Sequence, residues 1–308
     1  MEVYRDINQL PAFANPVLTI GTFDGVHRGH RQIIAQMLEV ADRAKGTPVL
    51  LTFYPHPKQI IESGQKPLFL LNTPAEKYKL LHRAGLNNIV EVPFTREFSE
   101  QPAEDYIRNF LVEKFHPHTI IIGYDHRFGK NREGNYELLE SQSSTFGYRV
   151  IEIPEHVLSD VIVSSTKIRE ALATGLVETA NEYLGYRYFF HAGVIHGDKR
   201  GRILGYHTAN LQIDHERKLI PADGVYAVDV DLKGIGQYKG MMNIGHRPTV
   251  EVSGRSMEVH LFDFDKDIYG VSLKISFKAR IRDEKKFDNL DQLKLQLDKD
   301  AVIARQFD

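Results

Sequence analysis

Two histidines three residues apart are the side chains of this sequence whose types and spacing most directly suggest chemistry. His27 and His30 lie in the stretch TFDGVHRGH, residues 22–30, soon after the apolar run VLTI. At positions i and i+3 of a helix, two imidazoles share one face. A helix N-terminus also presents unpaired N–H groups and a partial positive charge. Such a surface can donate hydrogen bonds to charge that develops on a phosphate. The stretch therefore predicts a phosphate-binding site where a strand gives way to a helix.

Other nucleotide and metal motifs explain this stretch less well. It contains neither the G-x-x-x-x-G-K-[ST] loop nor the G-x-G-x-x-G dinucleotide fingerprint. The chain has no cysteine, and no third ligand lies near the histidine pair, which argues against a metal site. Gly25 and Gly29 would let a ligand approach the backbone closely. An ordinary surface pair of histidines remains the alternative to a phosphate site.

Composition sets limits on the class of protein. With 308 residues the chain is long enough for two domains. The net charge is −2, from 39 basic and 41 acidic residues, which predicts no bulk electrostatic binding to nucleic acid or membrane. The absence of cysteine excludes disulfides and thiolate catalysis. There is neither a signal-like N-terminus nor an apolar run near the ~20 residues that span a bilayer, so we expect a cytoplasmic protein.

The elements that would position the histidines change character along the chain. Up to about residue 185, short apolar strands alternate with amphipathic stretches such as HRQIIAQMLEVADRAKG and TPAEKYKLLHRAG, which predicts a parallel sheet covered by helices. Beyond that point the segments are β-rich, as in GVYAVDVDL and YGVSLKISFKARI, which predicts a sandwich or small barrel. The segment NLDQLKLQLDKDAVIARQF predicts a closing helix.

In this setting the first half resembles a known family. G-x-F-D-G-x-H-x-G-H resembles the HxGH signature of nucleotidyltransferases, in the version carried by bacterial bifunctional riboflavin kinase/FMN adenylyltransferases. A second motif of that superfamily resembles SSTKIR, residues 164–169, at the start of a predicted helix, although SST alone also suits an ordinary N-cap. GYDHRFGKNREGN and TFYPHP resemble further segments of the family, with His126 where the family commonly has Phe.

The resemblance implies the roles of residues in an adenylyltransferase domain, residues 1–185, with a Rossmann-like fold. Asp24 would orient the turn or a hydroxyl group rather than act as a base. The implied catalytic residues are His27, His30 and Arg169; the nucleotide-binding residues are Gly21, Phe23, Asp24, Gly25, Asp125, Ser165 and Thr166; and the flavin-binding residues are Pro55, His56, Pro57, Arg127 and Phe128.

The second half resembles the riboflavin kinase part of the same family. GVIHGDKRGRILGYHTANL, NIGHRPTV, MEVHLFDFDKDIYG and RIRDEKKF follow in the family's order. The resemblance implies a kinase domain, residues 186–308, built as a six-stranded barrel with a closing helix. Its implied residues are Gly197, Gly201, Arg202, Thr208 and Asn210 for the nucleotide, Thr208 and Asn210 for Mg²⁺, and Glu258 as the catalytic general base. By spacing alone, Glu258 also suits a surface salt bridge, and GDKRGR a basic hairpin.

The resemblance implies an enzyme that phosphorylates riboflavin to FMN with ATP and then adenylylates FMN to FAD, releasing pyrophosphate. Its partners would be riboflavin, FMN and ATP, and it would be a monomer or weak homo-oligomer. One departure concerns His207, because the family has Pro before the Thr of its P-T-A-N motif. A weakened kinase in a single-activity enzyme is therefore one alternative, and a flavin-binding regulatory protein is another.

Overall fold

The chain folds as two compact units, Met1–Ser164 and Ser165–Asp308. This computed structural model describes residues 1–62, 64, 67–154, 163–196, 205–246 and 255–307. The helices between Ser165 and Leu184 group with the second unit. The functional boundary at residue 185 stays a prediction.

A parallel six-stranded sheet organises the first unit, in the order β1-β4-β3-β2-β5-β6. The strands are β1 (Glu2–Tyr4), β2 (Val17–Ile20), β3 (Pro48–Tyr54), β4 (Asn88–Pro93), β5 (Thr119–Gly123) and β6 (Arg149–Ile153). All four residues of β2 are buried, as expected for a central strand covered on both faces. Strand order reverses between β2 and β5, and ligands bind at such switch points beside the carboxyl ends of the strands.

Helices connect these strands, as the sequence predicts. They are α1 (Arg28–Ala44), α2 (Pro57–Ile61), α3 (Pro74–Arg83), α4 (Arg96–Ser99), α5 (Ala103–Asp105), α6 (Glu113–Phe115) and α7 (Tyr136–Phe146). Thr73 and Glu76 form a capping box that starts α3. Between α5 and α6 the chain forms a π-helix, Tyr106–Val112. Of these elements, β1, α2, α4 and the π-helix were not predicted from the sequence.

The second unit contains a closed antiparallel barrel with the strand order β10-β11-β8-β7-β12-β9. Its strands are β7 (Phe189–Ile195), β8 (Thr208–Ile213), β9 (Gly224–Leu232), β10 (Gly236–His246), β11 (Arg255–Leu261) and β12 (Ser272–Arg282). Phe190, Tyr226 and Phe277 are fully buried, and their rings pack 5.3–5.6 Å apart around Phe277. The prediction of a six-stranded barrel is confirmed.

The described residues of this unit also form three helices: α8 (Ser165–Ala173), α9 (Val177–Leu184) and α10 (Leu290–Gln306). Asn181 ties α9 to the barrel, because its side chain donates to the Phe277 carbonyl at 2.9 Å and accepts from the Tyr188 N–H at 2.6 Å. The predicted closing helix is α10. In the described part of the chain, no helix combines the length and apolar character needed to cross a bilayer.

A buried ion pair holds α10 to the barrel. Arg282, at the end of β12, donates from Nε and Nη2 to the Asp300 carboxylate at 2.7–3.1 Å, and Gln296 donates to the same carboxylate at 2.9 Å. The Asp300 side chain is fully buried, whereas 19% of the Arg282 side chain is exposed. The carboxylate is therefore well compensated only while Arg282 faces it.

Replacing Asp300 with Ala should lower the free energy of unfolding by about 2–3 kcal/mol, because it leaves a partly buried guanidinium unpaired. Urea unfolding monitored by circular dichroism measures this change. Asp283→Asn is the matched control, since Asp283 pairs with Arg280 from an exposed position and such pairs contribute less than about 1 kcal/mol. If the two substitutions lower the free energy of unfolding equally, the Arg282–Asp300 pair is not the stabilising contact described here.

Candidate active sites

The turn after β2 carries the histidine motif in a strained conformation. Phe23 and Val26 have φ values of +49° and +38°, between which Gly25 has +89°. Positive φ is unfavourable for a β-branched residue such as Val26, and such strain persists only where surrounding contacts impose it. A Cβ atom at Gly21 would lie 3.0 Å from the Phe23 ring, so glycine lets that ring cover the start of the turn. The turn therefore has a defined conformation that its surroundings impose, and backbone strain of this kind is typical of a functional site.

Asp24 holds this turn to the segment that precedes α3. Its carboxylate is buried and accepts hydrogen bonds from the N–H groups of Leu71 and Asn72 at 3.1–3.2 Å. Hydrogen bonds from backbone N–H groups compensate a carboxylate that has been removed from water. Asp24 thus joins the turn to the segment that precedes α3, and its role in orienting the turn stays a prediction.

His27 and His30 lie together at the start of α1. Their rings stack with centroids 3.6 Å apart, and the Phe23 ring lies 4.7 Å from that of His30. His27 is the N-cap, and its Nδ1 accepts the His30 N–H at 3.4 Å, so a neutral His27 ring carries its proton on Nε2. Burial first, then the charges of His27 and Lys77, hold the pKa of His30 well below its ordinary value. His30 is therefore neutral at physiological pH.

A buried lysine that the sequence analysis did not single out lies behind the same turn. Lys77 of α3 donates from Nζ to the Thr22 carbonyl at 3.2 Å and to the Thr52 hydroxyl at 2.9 Å. The Thr52 hydroxyl in turn donates to the Thr22 carbonyl at 3.1 Å. The signal in the sequence was a lysine among the core-facing residues of α3, where the amphipathic pattern would place an apolar side chain.

The segments assigned to flavin binding follow the strands on either side of β2. Pro55, His56 and Pro57 come after β3, with a cis Tyr54–Pro55 bond and His56 as the N-cap of α2. Residues 125–128 come after β5 and lead into a two-residue bridge between Phe128 and Gly134. The carboxyl ends of parallel strands share one edge of the sheet, so these segments flank the histidine turn.

Within the second of these segments the side chains differ in exposure. Asp125 and Arg127 are exposed, whereas the Phe128 ring is buried and stacks on Tyr106 at 5.0 Å. The His126 ring stacks on that of Phe128, with centroids 5.9 Å apart. Burial first, and then Arg127 and Arg132, lower the pKa of His126 to about 4. The ring at the family's Phe position is therefore neutral here and packs as an aromatic ring.

The SSTKIR motif begins at Ser164, the last residue of the first unit, and its other residues open α8 in the second unit. Ser165 begins the helix, Thr166 is exposed and Arg169 is half-buried, while Ile168 packs inward. The apolar side of α8 is thus directed to the core, and Thr166 stays accessible to solvent.

In the barrel, antiparallel pairing brings the predicted kinase residues together. Glu258 of β11 lies opposite Asn210 of β8. The Thr208 hydroxyl donates to the Glu258 carboxylate at 3.2 Å. A hydroxyl, an amide and a carboxylate oxygen lie side by side, and oxygen donors of this kind suit Mg²⁺. Glu258 accordingly faces the predicted nucleotide residues Thr208 and Asn210.

A second unpredicted contact supports the start of β8. His260, opposite Thr208 in the ladder, lies with its Nδ1 2.8 Å from the His207 carbonyl. A carbonyl only accepts, so a neutral His260 ring carries its proton on Nδ1. Burial lowers the pKa of His260, while this hydrogen bond raises it in part. The contact uses the carbonyl oxygen of His207, a group that proline also has.

Three predicted residues, Gly197, Gly201 and Arg202, lie outside the described residues. Among the residues that are described, no group of three or more His, Cys, Asp or Glu side chains is arranged to hold a metal ion.

Comparison with known proteins identifies both halves. The family model described as FAD synthetase matches residues 11–167, and the one described as riboflavin kinase matches residues 184–307. The chain is 38% identical to the bifunctional riboflavin kinase/FMN adenylyltransferase of Haemophilus influenzae, over 94% of this chain and 93% of that protein. It is 36% identical to the protein of the same name in Escherichia coli K12, over 100% of this chain and 98% of the other.

The fold of the whole chain also matches a solved structure. A Streptococcus pneumoniae protein described as a macrolide-efflux protein superposes with a TM-score of 0.87 at 30% identity, covering 100% of this chain and 99% of that one. The two-unit architecture is therefore shared over the full length.

Proposed function

The chain belongs to the family of bifunctional riboflavin kinase/FMN adenylyltransferases, and from this premise we propose how its residues perform the two reactions. It converts riboflavin to FMN and FMN to FAD, using ATP in both steps. The observation that carries this function is the match of both family models within one chain, together with relatives of that name over its full length. Neither an enzyme with one activity nor a regulatory protein is favoured.

In the kinase step the 5′-hydroxyl of riboflavin attacks the γ-phosphate of ATP. We assign Glu258 as the general base that accepts the hydroxyl proton, supported by its contact with Thr208 and its pairing with Asn210. Thr208 and Asn210 would hold Mg²⁺, which neutralises charge on the transferred phosphoryl group when it is bound with the nucleotide. Gly197, Gly201 and Arg202 are proposed to contact the phosphates.

In the adenylyl step the phosphate of FMN attacks the α-phosphate of ATP, and pyrophosphate leaves. Because the nucleophile is already an anion, the site needs donors rather than a strong base. His27 and His30 are proposed to donate to charge on the α-phosphate, supported by their stacked position at a helix N-terminus. Arg169 would bind the leaving pyrophosphate.

Binding roles complete the assignment. We propose that ATP is bound by Gly21, Phe23, Asp24, Gly25, Asp125, Ser165 and Thr166. The flavin would be bound by Pro55, His56, Pro57, Arg127 and Phe128. Phe128 would act through packing, since its ring is buried against Tyr106. We also propose that the enzyme is cytoplasmic and acts as a monomer or weak homo-oligomer, in keeping with its small net charge and its lack of cysteine.

Chromatographic separation of flavins tests the function. Riboflavin with Mg²⁺–ATP should yield FMN and then FAD, and FMN with Mg²⁺–ATP should yield FAD directly. If riboflavin yields FMN but no FAD forms in either reaction, the chain lacks adenylyltransferase activity. If FMN is converted to FAD but riboflavin is not converted to FMN, the chain lacks kinase activity.

Replacing His27 or His30 with Ala should reduce FAD formation by ~10²–10³-fold, because each substitution removes a preorganised donor. FMN formation should be retained, since the kinase residues lie in the other unit. Rates of both products are measured from riboflavin, with the exposed His82→Ala as the matched control. Equal loss of both activities in a folded variant would contradict separate sites.

Glu258→Gln should lower FMN formation by roughly 10²–10⁴-fold, because the amide keeps the size of the side chain but cannot accept the proton. FMN supplied directly should still become FAD at the normal rate. Glu216→Gln provides the control, since the Glu216 side chain is 87% exposed in the same unit. Undiminished kinase turnover would exclude Glu258 as the general base.

His207→Pro should lower the kinase KM for Mg²⁺–ATP several-fold at most. Proline keeps the backbone carbonyl that His260 contacts. It also restricts the conformations of the loop before Thr208 when no nucleotide is bound. Where the native backbone accepts proline, such substitutions stabilise a protein by ~0.4–1 kcal/mol. Initial rates of FMN formation measure the change, and FAD formation from FMN is the internal control. A substantially raised KM with an unchanged control would mean that His207 is adapted to this kinase site.

A further inference from the structure

Lys77 is a buried cation that the proposed reactions do not yet use. Only 7% of its surface is exposed, although it belongs to α3 in the same turn of helix as the exposed Lys79. Its two hydrogen-bond acceptors, the Thr22 carbonyl and the Thr52 hydroxyl, are both neutral oxygens. Lysine is among the residues least often buried, so its position here calls for a physical reason.

Burial of this ammonium opposes folding. Removal from water lowers the pKa of Lys77 to about 8, against the opposing influence of Asp24 from the turn after β2 and of Glu91 from β4. At pH 7 the group is still protonated, and the fold bears the cost of a desolvated charge. An apolar side chain of similar length would avoid that cost, so stability alone does not account for the lysine.

The location of the charge provides the reason. Thr22 immediately precedes Phe23, the first residue of the strained turn, and Lys77 binds its carbonyl from the side of α3. The charge also acts on His30 of α1, where it contributes to the low pKa of that ring. Lys77 therefore contacts the residue that precedes the turn and acts electrostatically on His30.

We propose that Lys77 is a positioning residue of the adenylyl-transfer site, which holds the Thr22 carbonyl and supplies a fixed positive charge behind the histidine pair. This inference rests on the proposed function, because the charge is useful only where the polyphosphate of ATP binds. It predicts that the lysine lowers stability and raises activity at the same position.

Lys77→Met separates these two effects. Methionine keeps the length and apolar stem of the side chain, and the Thr52 hydroxyl still donates to the Thr22 carbonyl, so that acceptor keeps a partner. The melting temperature at pH 7 should therefore rise by about 2 °C or more. FAD formation from FMN should fall about 10- to 100-fold in kcat/KM, as expected when reacting groups lose their alignment. FMN formation should not change.

The pH dependence gives a readout that a purely structural lysine would not move. The lysine loses its charge as the pH rises through about 8, so FAD formation by the unaltered chain should decline above that pH. The titratable groups near Lys77 include Asp24, Glu91, His30 and Tyr78, whose ring centroid lies 5.6 Å from Nζ. His30 is neutral throughout this range, and burial raises the pKa of Tyr78 well above it. The decline should be absent in Lys77→Met and present in the matched control Lys79→Met.

Lys77→Arg serves as the conservative variant, since it keeps a cation and a donor at the position. Partial retention of FAD formation by Lys77→Arg, with loss in Lys77→Met, supports the proposal. FAD formation by Lys77→Met within twofold of the unaltered chain would overturn it, as would an alkaline decline that persists in that variant. Unfolding of both variants with loss of both activities would also overturn it and assign Lys77 to folding. If the unaltered chain forms no FAD, the proposed function fails first.

Discussion

The strained turn between β2 and α1 is the constraint on which the first unit's site depends. Phe23 and Val26 occupy positive φ values, and residues of these types do not hold such a conformation without support. The support consists of buried polar contacts: the Asp24 carboxylate on the N–H groups of Leu71 and Asn72, and the Thr22 carbonyl on Thr52 and Lys77. These contacts come from Thr52 of β3, from the segment that precedes α3 and from Lys77 of α3, so the packing of β3 and α3 around β2 is a precondition of the site.

The second unit positions its residues in a different way. Thr208, Asn210 and Glu258 are aligned by the pairing of β8 with β11, in which a regular ladder already places them side by side. A side-chain hydrogen bond from His260 to the His207 carbonyl adds support at the start of β8. The two sites thus rest on different physical devices, a strained turn in one unit and strand register in the other.

Much of this arrangement could be predicted from local sequence. The Thr73–Glu76 capping box, the alternation that marks β9 and the apolar run of β2 each carry their own signal. The π-helix could not be predicted, because the buried Tyr106, Ile107, Phe110 and Leu111 have a spacing that suits an α-helix equally well. Lys77 and His260 were missed because their acceptors, Thr22 and His207, are distant in sequence. Contacts of that kind depend on the tertiary fold.

The central claim is that one chain joins two phosphate-transfer reactions that use different phosphates of ATP. Isotopic labelling tests it most directly: riboflavin is incubated with ATP labelled at the γ-phosphate or, separately, at the α-phosphate, and the flavins are separated and counted. The account predicts that FMN carries label from the γ-phosphate only, and that FAD carries label from both. Label from the α-phosphate in FMN, or FAD without label from the γ-phosphate, would contradict it.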